Sequence, residues 1–355
     1  MLPLWILVLA FLSCLLSVAI ILTLTLFHLC NYRKPFEQRL IIRIILILPL
    51  FAISCYVDLI SPAVGKFLQP FREIYEAFVI YTFFSLLTHI LGGERNIIVQ
   101  TSGREPVSHP PPMKSLLAPF DISDPYTFLT IKRGILQYVW IKPVLLLVIS
   151  GTQLCGVYDV NDISWLSVYV WTTLIYNCSV SLSLYDLALF WKCLYADLKP
   201  FQPMGKFLCV KMIIFASYWQ GIILVVLNWL GLLRVHSDPE TNAGLAIQNA
   251  LLCIELIGFA IGHWYSFSYL PFTKENLPKC GRLAFRSALK DCLGIGDLAY
   301  DFRLTFSGSS YDYKQFDSVE AMLPTADSRM RRINQGMRYS NNGQKYWLDL
   351  NSQRT

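Results

Sequence analysis

Charged residues are scarce in this chain. Asp, Glu, Lys and Arg make up 15% of its 355 residues, against 54% apolar, where soluble domains carry about a quarter charged residues. That shortage excludes an ordinary pair of soluble domains and means that long stretches avoid water. Between Leu2 and Cys30 there is no Asp, Glu, Lys or Arg at all. The run is too long for a signal-peptide core and no basic residue precedes it, so it reads as a membrane helix kept in the mature chain. The ten cysteines form no C-x-x-C pair and no zinc spacing. Cys14, Cys55, Cys178, Cys209 and Cys253 sit inside apolar runs, which argues against a disulfide framework. The five histidines make no H-x-x-x-H or H-E-x-x-H pattern, so a metal-dependent hydrolase is not expected. There is no P-loop and no Gly-rich dinucleotide turn, so neither nucleotide-driven pumping nor any cofactor is expected. No nucleic-acid partner is expected either.

What is present is a series of apolar runs. Crossing roughly 30 Å of hydrocarbon takes about 20 apolar residues in a helix. Residues 2–30, 41–59, 74–91, 135–157, 165–190, 212–233 and 245–270 meet that need. The expected fold is an all-α integral membrane protein with a seven-transmembrane-helix bundle over residues 1–272 and a cytosolic tail over 273–355. Basic residues set the orientation. They gather after the first, third and fifth helices: Arg33, Lys34, Arg39 and Arg43, then Arg95, Arg104, Lys114, Lys132 and Arg133, then Lys192, Lys199, Lys206 and Lys211. The tail after Phe272 holds thirteen more, while the alternate loops are poor in them. This alternation places the N-terminus on the lumenal or extracellular side. The loop 92–123, with its His109-Pro110-Pro111-Pro112, reads as an ordered-to-flexible cytosolic segment.

Ionisable groups inside spans carry the functional signal, because each costs about 2.5–3.5 kcal/mol at the helix centre on insertion scales. Glu255 lies about ten residues into the seventh span, with Gly258, Gly262 and His263 after it. It reads either as part of a polar or proton-coupled pathway or as a hydrogen-bonded group holding helices together; His263 by itself reads as interfacial. In the fifth span Ser179, Ser183 and Asp186 share one helical face, and Asn177, Ser181 and Tyr185 a neighbouring one. The stripe suits a solute-lining wall or interhelical hydrogen bonds. Lys142, followed by Pro143, is either about 10 Å deep in the fourth span or reaches back to the cytosolic interface. Glu76, with Glu73, opens the third span, where capping of the helix N-terminus competes with a pathway role.

An ordered set of short segments resembles the organic solute transporter alpha-subunit family, in its transmembrane protein 184 and fungal vacuolar branch. They are Asn31-Tyr32-Arg33-Lys34-Pro35 with Gln38-Arg39, Tyr75-Glu76-Ala77-Phe78, Gly92-Gly93-Glu94-Arg95, Gln137-Tyr138 and Lys142-Pro143. Lys206-Phe207-Leu208, Val210-Lys211, Phe215 and Trp219-Gln220 follow, then Cys253-Ile254-Glu255 with His263. The resemblance covers about residues 31–271. It implies a seven-helix fold and movement of organic or steroid-like solutes, with a single-span beta-type subunit or a second copy as partner. It also implies a vacuolar or other endomembrane location, the plasma membrane being the alternative.

The tail turns polar after Phe272. Arg282, Arg286 and Lys290 recur at four-residue steps, and Phe285, Leu289 and Cys292 nearly align, which suits either a basic amphipathic helix on an anionic leaflet or a solvated helix. Cys280 and Cys292 are palmitoylation candidates there. Two short motifs follow, Phe316-Asp317-Ser318-Val319 and Trp347-Leu348-Asp349-Leu350, each an aromatic and an aliphatic three apart. As extended strands they could add to a sheet edge. They resemble the motif that binds ubiquitin-like autophagy modifiers, and the family resemblance implies fungal members that recruit such a modifier through their tails.

Overall fold

In a computed structural model of the chain, the described residues are 3–111, 113–115, 117–159, 164–201, 203–230, 243–294, 296–307, 326–340 and 345–348. Phe316, Val319 and Leu350 fall outside them. The helices are α1 (Leu4–Cys30), α2 (Pro35–Ile45), α3 (Ile47–Ile60), α4 (Pro62–Ile90), α5 (Glu94–Thr101), α6 (Pro125–Leu154), α7 (Val168–Leu198), α8 (Pro203–Trp229), α9 (Ala243–Ser266), α10 (Phe285–Leu293), α11 (Gly296–Ser307) and α12 (Ala326–Asn334). Strands β1 (Met337–Tyr339) and β2 (Lys345–Trp347) pair antiparallel, with Met337 opposite Trp347.

Each of the seven apolar runs is helical over most of its described length. Among the described residues, five helical stretches are long and apolar enough to cross a membrane: Leu4–Cys30, Pro35–Ile60, Pro125–Leu154, Val168–Phe201 and Gly244–Phe272. A sixth is added if α4 and α5, which meet at a 60° bend, count as one span. The helices start earlier than hydropathy suggests, because prolines open them. Pro35 and Pro125 sit at the first helical turn, where a missing N–H costs nothing. The bend falls at Gly92 and Gly93, with φ of 88° and 93°, values that favour glycine. Two expectations change with these starts. Glu76 lies well inside α4, so it does not cap a helix N-terminus; it faces Arg72 one turn earlier at 3.9 Å. Nor does Lys142 reach back to water: α6 runs through Pro143, and Lys142 is buried.

The chain divides into two compact units, Met1–Leu86 with Phe201–Gly294, and Leu87–Pro200 with Ile295–Thr355. In the first unit α1 packs on α3 and α9, and α8 packs on α9. Its core is aliphatic, with Ile21, Leu24, Ile44, Ile45 and Leu256 fully buried. The turn from α1 to α2 is held by Gln38, whose Oε1 accepts from the backbone of Arg33 and Lys34 at 2.8 and 3.0 Å while Nε2 donates to the carbonyls of His28 and Asn31. The first part of the tail is clasped to the same turn. The Tyr32 hydroxyl donates to Asp291 at 2.6 Å, and Arg39 pairs with that carboxylate at 3.1 Å. Arg33 donates to the Cys280 carbonyl at 2.6 Å, and Arg43 donates to the carbonyls of Cys292 and Gly294.

In the second unit α6 packs along α7. The Pro-rich segment is ordered where it folds back on itself through a bridge between Val107 and Phe120. His109 stacks on Tyr185 of α7 and shares a 2.5 Å hydrogen bond with its hydroxyl, and Arg104 pairs with Asp197 at 2.5 Å. The later tail docks here. Lys132 of α6, 4% exposed, holds Glu94 of α5 at 2.6 Å and Asp301 of α11 at 2.5 Å. Burial pushes the Asp301 carboxyl up to about 7; the adjacent ammonium opposes that push by favouring the ionised form. Phe302 meets Trp140 with ring centroids 4.4 Å apart. On α12, Arg331 pairs with Asp124, the residue preceding α6, at 3.1 Å, and Arg332, 1% exposed, donates to the Ser123 carbonyl.

Replacing Lys132 with Met leaves two carboxylates without their shared cation. The partners keep about a quarter of their side-chain surface exposed, 25% and 29%, which reduces the cost, so we expect a loss of about 1–3 kcal/mol. Thermal unfolding in detergent should show the lowered stability, and limited proteolysis should cut faster near Arg303. An unchanged melting curve with unchanged cleavage would show that α11 is not held by this lysine.

Candidate functional site

The polar groups of the first unit collect on α8 and α9. Gln220 Nε2 donates to Glu255 Oε1 at 2.6 Å. Glu255 Oε2 and Gln220 Oε1 are both buried and have no hydrogen-bond partner among the described residues. Turning the amide around would only set two oxygens face to face, whereas a proton on the carboxyl would let it donate to Gln220 Oε1. Among the described residues the pair thus leaves two oxygens open. Gln248 lies seven residues before Glu255, and its amide sits beside Gly221, where a Cβ would come 3.5 Å from Nε2. Asn249 donates to Asp58 of α3. His263 is fully buried within the protein: Nδ1 donates to the Phe259 carbonyl at 2.8 Å, and Nε2 has no partner among the described residues. His28 Nε2 likewise donates to the Phe267 carbonyl at 3.0 Å. Of the two small residues near His263, Gly262 lies against Cys209 of α8, whereas a Cβ on Gly258 would meet open space.

In the second unit the Ser179, Ser183 and Asp186 face of α7 is buried against α6. Ser179 Oγ donates to Gln137 Oε1 at 2.8 Å, and Gln137 Nε2 donates back to the Ser179 carbonyl at 2.9 Å. Ser183 Oγ is buried without a partner among the described residues. The Asp186 carboxylate lies over Gly134 of α6 and has no cationic partner among the described residues. The Lys142 Nζ sits 3.9 Å from the ring centroid of Tyr176 as a cation–π contact. Asn177 points away from this face and is exposed, its amide donating to Thr173 one turn earlier. It is not part of the seam.

The tail candidates fare unevenly. Cys292 is 5% exposed in a cluster with Leu29, Tyr32, Ile42 and Ala288, and its thiol donates to the Tyr32 hydroxyl at 3.5 Å. Burial pushes that thiol up, and burial with the Asp291 contact holds the Tyr32 hydroxyl well above the usual phenol range. An inward, protonated thiol does not suit acylation, so the Cys292 expectation fails on geometry. Cys280 is partly buried. Trp347 is half-buried in β2, with its strand already paired along one edge to β1.

Sequence reasoning missed Gln137, Gln220 and Asp58 as site residues. Both glutamines stand in the segments that carry the family resemblance, and a glutamine within a span needs a partner as an acid does. Among the described residues no group of three or more His, Cys, Asp or Glu could hold a metal.

The description "organic solute transporter Ostalpha" belongs to a family model that matches residues 6–272. Vacuole membrane protein HFL1 of Saccharomyces cerevisiae is 47% identical over 336 residues, covering 92% of this chain and 78% of its own length. Vacuole membrane protein hfl11 of Schizosaccharomyces pombe is 43% identical over 324 residues, covering 90% and 75%. No solved structure matches the chain.

Gly134 provides a check on the α6–α7 seam. A Cβ there would overlap the Asp186 carboxylate, so Gly134→Ala should either push the helices apart or turn Asp186 out, at a cost of about 1–3 kcal/mol. Removing the carboxylate as well, in Gly134→Ala with Asp186→Ala, should restore most of the thermal stability. Strictly additive losses in the double variant would show that the two positions do not touch.

Proposed function

The chain belongs to the organic solute transporter Ostalpha family, and from that premise we propose that it moves organic solutes across the vacuolar membrane through polar seams inside its helices. The single observation that carries this reading is Glu255. It is a carboxyl group within a span, held among the described residues by one amide, with its second oxygen open there. Uncompensated charge at that depth works against insertion, so its retention suits a group that meets a passing donor. Asp186 with Ser183 is the corresponding feature of the second unit. The vacuolar location follows the printed names of the two relatives.

On this reading the chain has seven spans with its N-terminus lumenal and its tail cytosolic. Contacts within each unit support that side assignment. The turn after α1 is clasped to α10, and the start of α6 with the residue before it is clasped to α11 and α12. Within each unit a basic segment therefore lies beside part of the tail, in keeping with the charge alternation.

Glu255→Gln removes the charge and keeps the shape. Uptake of a panel of labelled organic solutes into vacuolar vesicles should fall by roughly tenfold or more, the size of one lost charged hydrogen bond, with protein level and targeting unchanged. Wild-type uptake across the panel from folded Glu255→Gln would remove the pathway.

A second reading is an adaptor whose tail recruits a ubiquitin-like autophagy modifier. What favours it is β2, which pairs with β1 on one side and has no strand on its other edge among the described residues. An open edge at Trp347 is where an extended partner strand adds. Capture of the modifier by the full-length protein should then be lost in Phe316→Ala with Trp347→Ala while solute uptake persists. Undiminished capture by the double variant would dismiss the motif assignment.

A further inference from the structure

We propose that α10 is a lipid-reading element, held by the turn after α1 and seated in the headgroup layer of a membrane leaflet rich in acidic phospholipids. At about 100° per residue, all of its residues but Ser287 sort into three adjacent faces. One face is docked: Ala288 and Cys292 are buried against Leu29, Tyr32 and Ile42, and Asp291 is tied to Tyr32 and Arg39. The next is an exposed apolar stripe at four-residue steps, Phe285, Leu289 and Leu293, exposed by 41%, 41% and 66%. Beyond it stand Arg286 and Lys290, both exposed, neither with a hydrogen bond or ion pair among the described residues. The order protein, apolar, basic is what a helix needs when it lies beside a bundle with hydrocarbon on one flank and phosphate on the next.

The position of the helix selects a leaflet over a soluble partner. The residues that hold α10 close the span Leu4–Cys30 and open the span Pro35–Ile60. It is therefore fixed at the level where two membrane helices end. Arg282, just before α10, donates to the Cys30 carbonyl at the last residue of α1, so the basic run begins at that same level. Two exposed cations without internal partners complement an anionic surface, each basic side chain adding about 1 kcal/mol near it.

The test uses the full-length protein in lipid nanodiscs, comparing phosphatidylcholine alone with phosphatidylcholine plus phosphatidylserine. Hydrogen exchange of peptides spanning residues 283–294 should slow by roughly tenfold or more in the serine lipid, from the two free cations. Arg286→Glu with Lys290→Glu should abolish that difference without altering exchange in the neutral lipid. Leu289→Asp with Leu293→Asp should raise exchange in both lipids. All four positions lie outside the buried face, so the clasp to Tyr32 survives and unchanged exchange at residues 30–34 verifies it. Equal exchange in the two lipids for the wild type, or protection that appears only when a soluble protein is added, would overturn the proposal.

Discussion

Hydrocarbon offers no partner to a polar group, and that one constraint organises the molecule. It removes charge from the runs that become spans and forces their backbone into helices. It also requires each polar side chain that remains to find a mate inside the chain. Gln137 and Ser179 answer one another in two hydrogen bonds. His28 and His263 each donate to a carbonyl. Lys142 rests on an aromatic ring. Against that background Glu255 and Asp186 stand out, because among the described residues the one is held by a single amide and the other by no cation. The functional reading grows from that imbalance.

At the ends of the spans charges are plentiful, and there they are used as fasteners. Asp291 joins Tyr32 and Arg39, Lys132 joins Glu94 and Asp301, and Arg331 joins Asp124. Each ties a part of the tail to a basic or helix-opening segment of its own unit. The tail is thus structured along much of its described length, and α10 turns one of these attachments into a presenting surface.

Some of this was legible in the sequence, for reasons that can be named. The missing charges between Leu2 and Cys30 marked α1, and four-residue spacing put Ser179, Ser183 and Asp186 on one face. Helix starts were not legible, because Pro125 opens α6 ten residues before the apolar run begins; the added turns are held by buried Phe128, Leu129 and Ile131 and by Lys132 and Arg133. The partners of the buried carboxyls were hidden too. That Gln220 faces Glu255, or that Gly134 makes room for Asp186, depends on how two helices meet, which a single chain's periodicity does not encode. Of the two readings left open for Lys142 the buried one holds, because the helix passes through Pro143 instead of breaking there. The palmitoylation candidate at Cys292 failed because its face of α10 is turned to the protein rather than to lipid.

The central claim is that the Lys- and Arg-rich turns and the tail lie together on one side of the bilayer, with the seams between. The most direct measurement is labelling of intact vacuoles with a membrane-impermeant amine reagent and a protease, before and after permeabilisation. The account predicts that Lys199 and the tail around Arg331 react from the cytosolic side of intact vacuoles, and that the chain near Trp165 is cut only once the membrane is opened. Finding Lys199 and Arg331 on opposite faces would contradict it.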